Sequence, residues 1–155
     1  MPYCVMDSPV GHLRIDEADG CITGLNRVDE ALCSPSTPLL REAAKQLRAY
    51  FDGSLTSFDL PLETHGTPFQ ERCWAALREI PYGVTATYGE QARKIGNAKA
   101  SRAVGGANHH NPISIIIPCH RVIGASGALT GYGGGLDMKA WLLQHERAVL
   151  EKRYG

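Results

Sequence analysis

The segment TATYGEQARKIGNAKASRAVGGAN, residues 85–108, predicts a pair of short helices. Thr87 and Glu90 fit the S/T-x-x-E capping box that begins a helix, and Gly96 can end that helix in a left-handed conformation. A second helix is expected to resume around Ala98. Two short helices joined at a glycine form a helix-turn-helix pattern, although similar helical hairpins occur in proteins that never touch DNA.

The second helix of this pair favours contact with a nucleic-acid backbone over the reading of bases. It consists mostly of Ala, Ser and Gly, with Lys99 and Arg102 as its long side chains, whereas major-groove recognition needs several side chains that bond to base edges. Residues 1–63 carry ten acids and five bases, a net −5, and residues 64–155 carry six acids and eleven bases, a net +5. The basic half therefore predicts phosphate-led binding that is indifferent to sequence.

The first third of the chain has the pattern of a small antiparallel sheet covered by a helix. Residues 3–28 contain two or three extended runs separated by the turn sequences SPVG and ADG. Thr37 then caps a helix, Pro38 occupies its first position, and apolar residues recur at helical spacing until Gly53.

The second half of the chain also contains a helix that begins with threonine followed by proline. Thr67 and Pro68 begin a helix whose apolar face extends to Ile80, before the sequence PYG ends it. We therefore expect an α+β protein with an N-terminal sheet-and-helix domain, residues 1–65, and a C-terminal domain, residues 66–155.

Cysteine usage and composition exclude several classes of protein. The five cysteines are odd in number and irregularly spaced, which predicts reduced thiols and neither a disulfide framework nor a zinc ribbon. Cys4, Cys21 and His65 are the only hints of a zinc site, and their spacing favours the absence of a metal or other cofactor. Without a signal peptide or a membrane-spanning apolar run, we expect a cytoplasmic protein, or a nuclear one in a eukaryote.

The segment IIIPCHRVIG, residues 115–124, places a thiol and an imidazole next to an apolar run. A cysteine becomes a useful nucleophile as the thiolate, which requires a nearby base or positive charge. His120 follows Cys119 directly, but neighbours on an extended chain point to opposite faces, so their contact would need a turn or a bridging water.

Glu146 is the candidate that would orient this imidazole. It lies on the apolar face of the helical segment LDMKAWLLQHERAVL, residues 136–150, and a partly buried carboxylate needs a partner. His120 is one possible partner, and an ion pair with Lys139 or Arg121 at the rim is the other.

Four motifs give the chain a family resemblance: TYGEQARKIG, SRAVGGAN, NPISIIIPCHRVIG and GYGGGLDMKAWLLQHE. Together they resemble the O6-alkylguanine-DNA alkyltransferases, whose active-site signature is PCHRV. The match runs from about Thr67 to Glu146, and DSPVGHLRI extends it loosely into the first domain. The resemblance implies a small ribonuclease-H-like α/β lobe followed by a winged-helix-like lobe that contains the helix-turn-helix.

The same resemblance implies DNA repair without a cofactor. A single-turnover methyltransferase of this kind binds double-stranded DNA as a monomer, through the minor groove, and flips out the alkylated guanine. Its alkyl group passes irreversibly to the Cys119 thiolate, which Glu146, His120 and a water generate. Whether O4-alkylthymine is also a substrate stays open.

Further residues take roles by similarity. Asn111 would hold the turn that carries the active-site segment, Tyr88 would help the guanine to depart and rotate its phosphate, and Arg102 would fill the gap left by the flipped base. The alternatives are a phosphate contact for Arg102 and a core-edge aromatic for Tyr88. The expected DNA-binding set is Tyr88, Lys99, Arg102, Ala103 and Gly106.

The expected guanine pocket includes Val122, Tyr132, Gly133 and Ser114. The backbone near Gly133 and the carbonyls of Cys119 and Val122 would bind the guanine edge. Gly133 stands where some relatives carry serine and Ser114 where some carry proline, so tolerance for bulky alkyl groups is open.

Two other functions compete with repair. A protein that binds alkylated guanine without repairing it would lack the cysteine that this chain retains. A cysteine hydrolase with a Cys, His and Glu arrangement would need an oxyanion hole and an acyl pocket, and no such pocket is indicated between Ala125 and Leu136.

Overall fold

The N-terminal unit, residues 1–64, is a three-stranded antiparallel sheet that packs against one helix. A computed structural model describes residues 1–129, 132 and 134–154. The strands β1 (Tyr3–Met6), β2 (Leu13–Ala18) and β3 (Cys21–Arg27) lie in that order across the sheet. The central strand places Ile15 opposite both Cys4 and Leu25, so these three buried side chains share one level of the core.

Helix α1 (Pro38–Asp52) begins and ends where the sequence predicts. The hydroxyl of Thr37 accepts a hydrogen bond from the Leu40 amide at 3.1 Å, and Gly53 ends the helix at a φ of 88°. That left-handed conformation is accessible to glycine at little cost. The buried face of the helix consists of Leu40, Ala43, Ala44, Leu47 and Tyr50.

Helix α2 (Pro68–Leu77) opens the second unit, residues 65–155, and is shorter than predicted. Thr67 and Gln70 form a capping box at its start. The expectation that the helix extends to Ile80 is wrong, because Ile80 lies in the turn that follows. The residue before a proline is disfavoured in the helical conformation, and Pro81 follows directly.

The predicted helix-turn-helix is present as α3 (Tyr88–Lys94) and α4 (Ser101–His109). Thr87 and Glu90 form the expected capping box, and Gly96 has a φ of 82°. Helix α4 begins later than predicted, which leaves Lys99 in the turn before it. A buried amide pair joins the two helices, since Gln91 and Asn108 exchange hydrogen bonds of 2.9 and 2.7 Å.

A short parallel pair and a long helix complete the second unit. Strand β4 (Ala86–Thr87) pairs with β5 (Val122–Ile123), which follows a 3₁₀ turn (Cys119–Arg121). Helix α5 (Leu136–Tyr154) packs against that turn. Among the described residues no helix is long and apolar enough to cross a membrane.

Candidate active site

Asn111 shapes the loop that leads to the predicted acceptor thiol. Its side-chain oxygen accepts a hydrogen bond from the Ile113 amide at 3.0 Å, and its side-chain amide donates to the Ile117 carbonyl at 2.7 Å. The isoleucines form a series of turns in which Ile115 has a φ of 72°. That left-handed conformation is strained for a β-branched side chain, and Ile115 is buried.

Cys119 lies at the end of this loop and is buried, with 6 % of the residue exposed. The Asn111 amide nitrogen is 3.2 Å from Sγ, so the same side chain that holds the loop also donates to the sulfur. Burial raises the pKa of the Cys119 thiol to about 11, while the Asn111 hydrogen bond and the charge of Lys139 act in the opposite direction. The resting sulfur is therefore a thiol at neutral pH, and its reaction as a thiolate requires a base.

His120 is the base closest in sequence to Cys119, and the chain turns at this point. The 3₁₀ turn carries Cys119 and His120 in succession, and His120 Nε2 lies 2.7 Å from Glu146 Oε2. Both side chains are fully buried. Burial lowers the pKa of His120, and hydrogen bonding and charge from Glu146 only partly oppose that effect.

The other imidazole nitrogen is the one available for proton transfer. His120 Nδ1 is buried and has no hydrogen-bond partner among the described residues. Because Nε2 faces a carboxylate, the neutral ring carries its proton on Nε2 and leaves a lone pair on Nδ1. Such a nitrogen can accept a proton directly or through a water molecule.

Glu146 binds both His120 and Arg121, so both possibilities raised for it are partly correct. Besides His120, the carboxylate receives Arg121 Nε at 2.9 Å and Nη2 at 3.0 Å, and the Gly83 amide at 2.9 Å. Although burial opposes ionisation, the hydrogen bonds and charges of His120 and Arg121 hold the pKa of Glu146 well below its usual range. Glu146 is therefore a fixed anion.

Lys139 is not the rim partner that the sequence allowed. The residue is 1 % exposed, its Nζ lies 5.8 Å from the Tyr88 ring centroid, and its charge acts on Cys119. Burial lowers the pKa of Lys139. Helical spacing could have identified this position, because Lys139, Leu142 and Glu146 follow the i, i+3, i+7 pattern of one helix face.

The predicted DNA-contacting residues divide between an exposed surface and a partly buried edge. Helix α4 exposes Arg102, Ala103 and Gly106, and Lys99 is exposed in the turn before it. Tyr88 is half-buried at the start of α3, and its ring contacts α4, where a Cβ on Gly105 would lie 3.7 Å from it. The exposed face of α4 that Arg102, Ala103 and Gly106 form therefore has no bulky apolar side chain among these three residues.

The predicted pocket residues are mostly buried. Val122 is fully buried in β5, Ser114 is buried in the isoleucine loop, where its carbonyl accepts from the Ile116 amide at 2.8 Å, and Tyr132 is also buried. Gly133 lies outside the described residues.

The hints of a zinc site do not form a cluster. Cys4 of β1 lies opposite Ile15 of β2, whereas Cys21 of β3 lies opposite Ala18 at the end of β2. Within residues 1–129, 132 and 134–154, no group of three or more His, Cys, Asp or Glu side chains could hold a metal ion.

The fold and the site define a class of two-domain proteins in which a helix-turn-helix domain buries a cysteine beside a His–Glu pair. Residues 1–64 match the ribonuclease-like domain of 6-O-methylguanine DNA methyltransferase, and residues 68–148 match its DNA binding domain. This chain belongs to the 6-O-methylguanine DNA methyltransferase family, and the predicted family and two-domain α+β fold are confirmed.

Relatives from bacteria and archaea support this assignment over nearly the whole chain. A methylated-DNA–protein-cysteine methyltransferase of Mycolicibacterium paratuberculosis is 53% identical over 152 residues, which cover 94% of this chain and 92% of the relative. One of the same name from Methanosarcina acetivorans is 50% identical over 153 residues, covering 94% and 98%. The structure of Mycobacterium tuberculosis OGT in complex with DNA has a TM-score of 0.88 at 49% identity and covers 95% of this chain and 93% of that one.

Proposed function

We propose that this protein repairs DNA by moving the alkyl group of O6-alkylguanine onto Sγ of Cys119, once per molecule. Relatives at about half identity are named methylated-DNA–protein-cysteine methyltransferases, and the chain retains the thiol that such a reaction consumes. The observation that carries the proposal is the position of this thiol, with Asn111 3.2 Å from its sulfur and the next residue bound to a buried carboxylate.

The chemistry balances with these groups alone. The Cys119 proton passes to His120 Nδ1, directly or through a water, and the thiolate attacks the alkyl carbon. A sulfur–carbon bond forms as the carbon–O6 bond breaks, and the guanine leaves with the bonding electrons. It takes up one proton, the equivalent of the proton that Cys119 gave to His120, so the imidazole ends neutral. The carbon–sulfur bond of the resulting thioether is stable, because its cleavage by a nucleophile would have to expel a thiolate, so no step restores the thiol and each molecule acts once.

A base inside a duplex cannot present its O6 substituent for in-line attack, so the guanine has to be flipped out, at a cost of a few kcal/mol. The exposed Arg102 on α4 would occupy the vacancy, and Tyr88 would act on the adjacent phosphate. Lys99 and the small residues Ala103 and Gly106 would let α4 approach the backbone closely. We infer minor-groove binding, because this helix offers an inserting side chain and few base-reading groups.

The extruded guanine would bind next to the acceptor thiol. Val122 and Tyr132 would supply apolar walls, Ser114 would border the alkyl group, and the backbone at Gly133 would meet the guanine edge. The low polarity of such walls suits an alkyl group and excludes water, which favours attack by sulfur over hydrolysis.

The experiment that tests this function is mass spectrometry of the protein after incubation with a duplex that contains O6-methylguanine. The tryptic peptide with Cys119 should gain one methyl group while the DNA loses it. Cys119→Ala should abolish transfer and retain DNA binding. Cys73→Ala, which removes a buried cysteine from α2 of the same unit, is the matched control and should transfer normally.

The same experiment separates the competing functions. A lesion-binding protein would retain the duplex and leave both Cys119 and the methylated guanine unchanged. A hydrolase would lose the substrate group without a stable adduct on Cys119. Either result would contradict alkyl transfer.

A further inference from the structure

Arg121 is the member of the buried network for which the proposed reaction has no role so far. Its side chain is 9 % exposed, and its guanidinium binds Glu146 through two parallel hydrogen bonds. Nη1 donates to the Ile80 carbonyl at 2.7 Å, and the guanidinium carbon lies 5.6 Å from the centroid of the Tyr82 ring. The arginine is thus held on three sides within the protein.

Arg121 and His120 are bound to the same carboxylate. Oε2 of Glu146 receives His120 Nε2 at 2.7 Å and Arg121 Nη2 at 3.0 Å, while Oε1 receives Arg121 Nε and the Gly83 amide, both at 2.9 Å. A planar guanidinium that contacts both oxygens fixes the plane of the carboxylate. That plane places Oε2 in line for the imidazole.

We propose that Arg121 is a positioning residue that neutralises Glu146 before the reaction and so keeps His120 uncharged, with Nδ1 free to accept the Cys119 proton. The proposal rests on the alkyl-transfer function stated above. It assigns the arginine an action on His120 through Glu146 and no contact with the substrate.

The charges of the buried groups explain why a neutral imidazole depends on the arginine. With Arg121 present, the pair of Arg121 and Glu146 has no net charge, and His120 and Cys119 rest as neutral groups. Without it, the buried carboxylate would lose the positive charge that binds both of its oxygens, and a proton taken from solvent onto His120 would replace that charge. An imidazolium formed in advance has no lone pair on Nδ1, so it could not accept the proton of Cys119.

The other charged or titratable groups around His120 do not replace Arg121. Lys139 acts on His120 as a second positive charge and also acts on Cys119, so it favours the neutral imidazole together with Arg121. Tyr82 is uncharged near neutral pH, because burial raises its pKa to about 12. Arg121 is the described cation that binds both oxygens of Glu146.

The first test compares pH profiles of single-turnover methyl transfer at saturating duplex DNA. In the unmodified protein the rate should show no loss from His120 protonation between about pH 6.5 and 8. Arg121→Gln keeps a hydrogen-bond donor and removes the charge. In this variant the acid limb of the profile, where the rate falls because His120 is protonated, should move to higher pH by about one unit or more. Arg121→Lys keeps the charge and should retain the low acid limb at a reduced maximal rate.

A double variant separates charge from packing. Arg121→Gln with Glu146→Gln removes both buried charges, so His120 should again be neutral and the acid limb should return to low pH, on a slower maximal rate. Arg41→Met, which removes an exposed arginine from α1, is the matched control and should change neither limb nor rate. A profile for Arg121→Gln that matches the unmodified protein would overturn the proposal.

Nitrogen-15 resonances of the His120 ring give a readout that needs no variant. In the unmodified protein at neutral pH they should report a neutral ring with its proton on Nε2, and a charged ring would overturn the proposal even if every variant failed to fold. Failure of the proposed function would be visible separately, because then the unmodified protein would leave Cys119 unmethylated at every pH.

Discussion

Cys4 and Cys119 are two buried thiols that burial alone does not distinguish. Cys4 lies in β1 at 1 % exposure and Cys119 in the 3₁₀ turn at 6 %. In each case burial is the largest cause that raises the thiol pKa, and in each case the value is about 11. A survey of exposure or pKa would therefore rank them as equals.

Their neighbours separate them. Around Cys4, Cys33 and Asp16 raise the thiol pKa further, and Arg48 alone among the causes opposes them. Around Cys119, the Asn111 hydrogen bond and the Lys139 charge both favour the thiolate. What distinguishes the acceptor thiol is therefore a hydrogen-bond donor and a positive charge that stabilise its thiolate, together with a base on the adjacent residue.

The largest effect on methyl transfer is expected when His120 loses its interaction with Glu146, because Cys119 then becomes, like Cys4, a buried thiol without an effective base. In Glu146→Gln the imidazole loses its anionic partner and the imidazolium formed during transfer loses its stabilising charge. The single-turnover rate of methyl transfer should fall about 10²- to 10⁴-fold. Glu79→Gln, at an exposed carboxylate, is the control, and an undiminished rate in Glu146→Gln would refute the role of the carboxylate.

A smaller effect is expected when the donor to the sulfur is removed. Asn111→Leu takes away the hydrogen bond to Sγ, so the pKa of Cys119 should rise above about 11 and the transfer rate should fall about tenfold to a hundredfold. Ultraviolet absorbance of the thiolate and single-turnover kinetics measure the two quantities.

Asn108→Leu is the matched control for Asn111. It removes a buried amide from the same domain, where Asn108 pairs with Gln91, and should lower thermal stability without moving the pKa of Cys119. If both variants lost transfer in proportion to their stability, the donor role of Asn111 would be wrong.

The smallest effect is expected at the thiol of the sheet. Cys4→Ala removes a buried sulfur from the core of β1, so the free energy of unfolding should fall by about 1 kcal/mol. Methyl transfer should be unchanged, because no described group of the reaction lies in β1. Denaturant titration and the methyl-transfer assay check the two halves of this prediction, and slowed transfer would show that Cys4 is more than a core residue.

Local signals made most of the fold predictable. Thr37, Thr67 and Thr87 each cap a helix at the predicted residue, because a cap depends on side chains within a few positions of one another. The predicted end of α2 and the predicted start of α4 were less accurate, since proline restrictions and packing decide where a short helix ends or begins.

The sequence indicated which residues lie in the candidate site, but not which of them share hydrogen bonds. His120 and Glu146 are in contact as the sequence suggested, but His120 was weighed against Lys139 or Arg121 as the partner of Glu146, and the carboxylate binds both His120 and Arg121. A carboxylate has two oxygens and accepts several hydrogen bonds, and only the packed turn shows that both residues reach it. Lys139 was expected at the rim, because lysines are rarely buried, although its helical spacing from Leu142 and Glu146 indicates the buried face on which it lies.

The left-handed Ile115 has a consequence for laboratory evolution of this protein. Glycine would relax the backbone there by about 1 kcal/mol or more, yet it would delete a buried side chain from the loop that ends at Cys119. Smaller β-branched residues would keep the strain and lose contacts. Selection for heat resistance and selection for repair would therefore pull this position toward different residues, and a library scored on thermal stability alone should enrich variants whose acceptor sulfur is poorly placed.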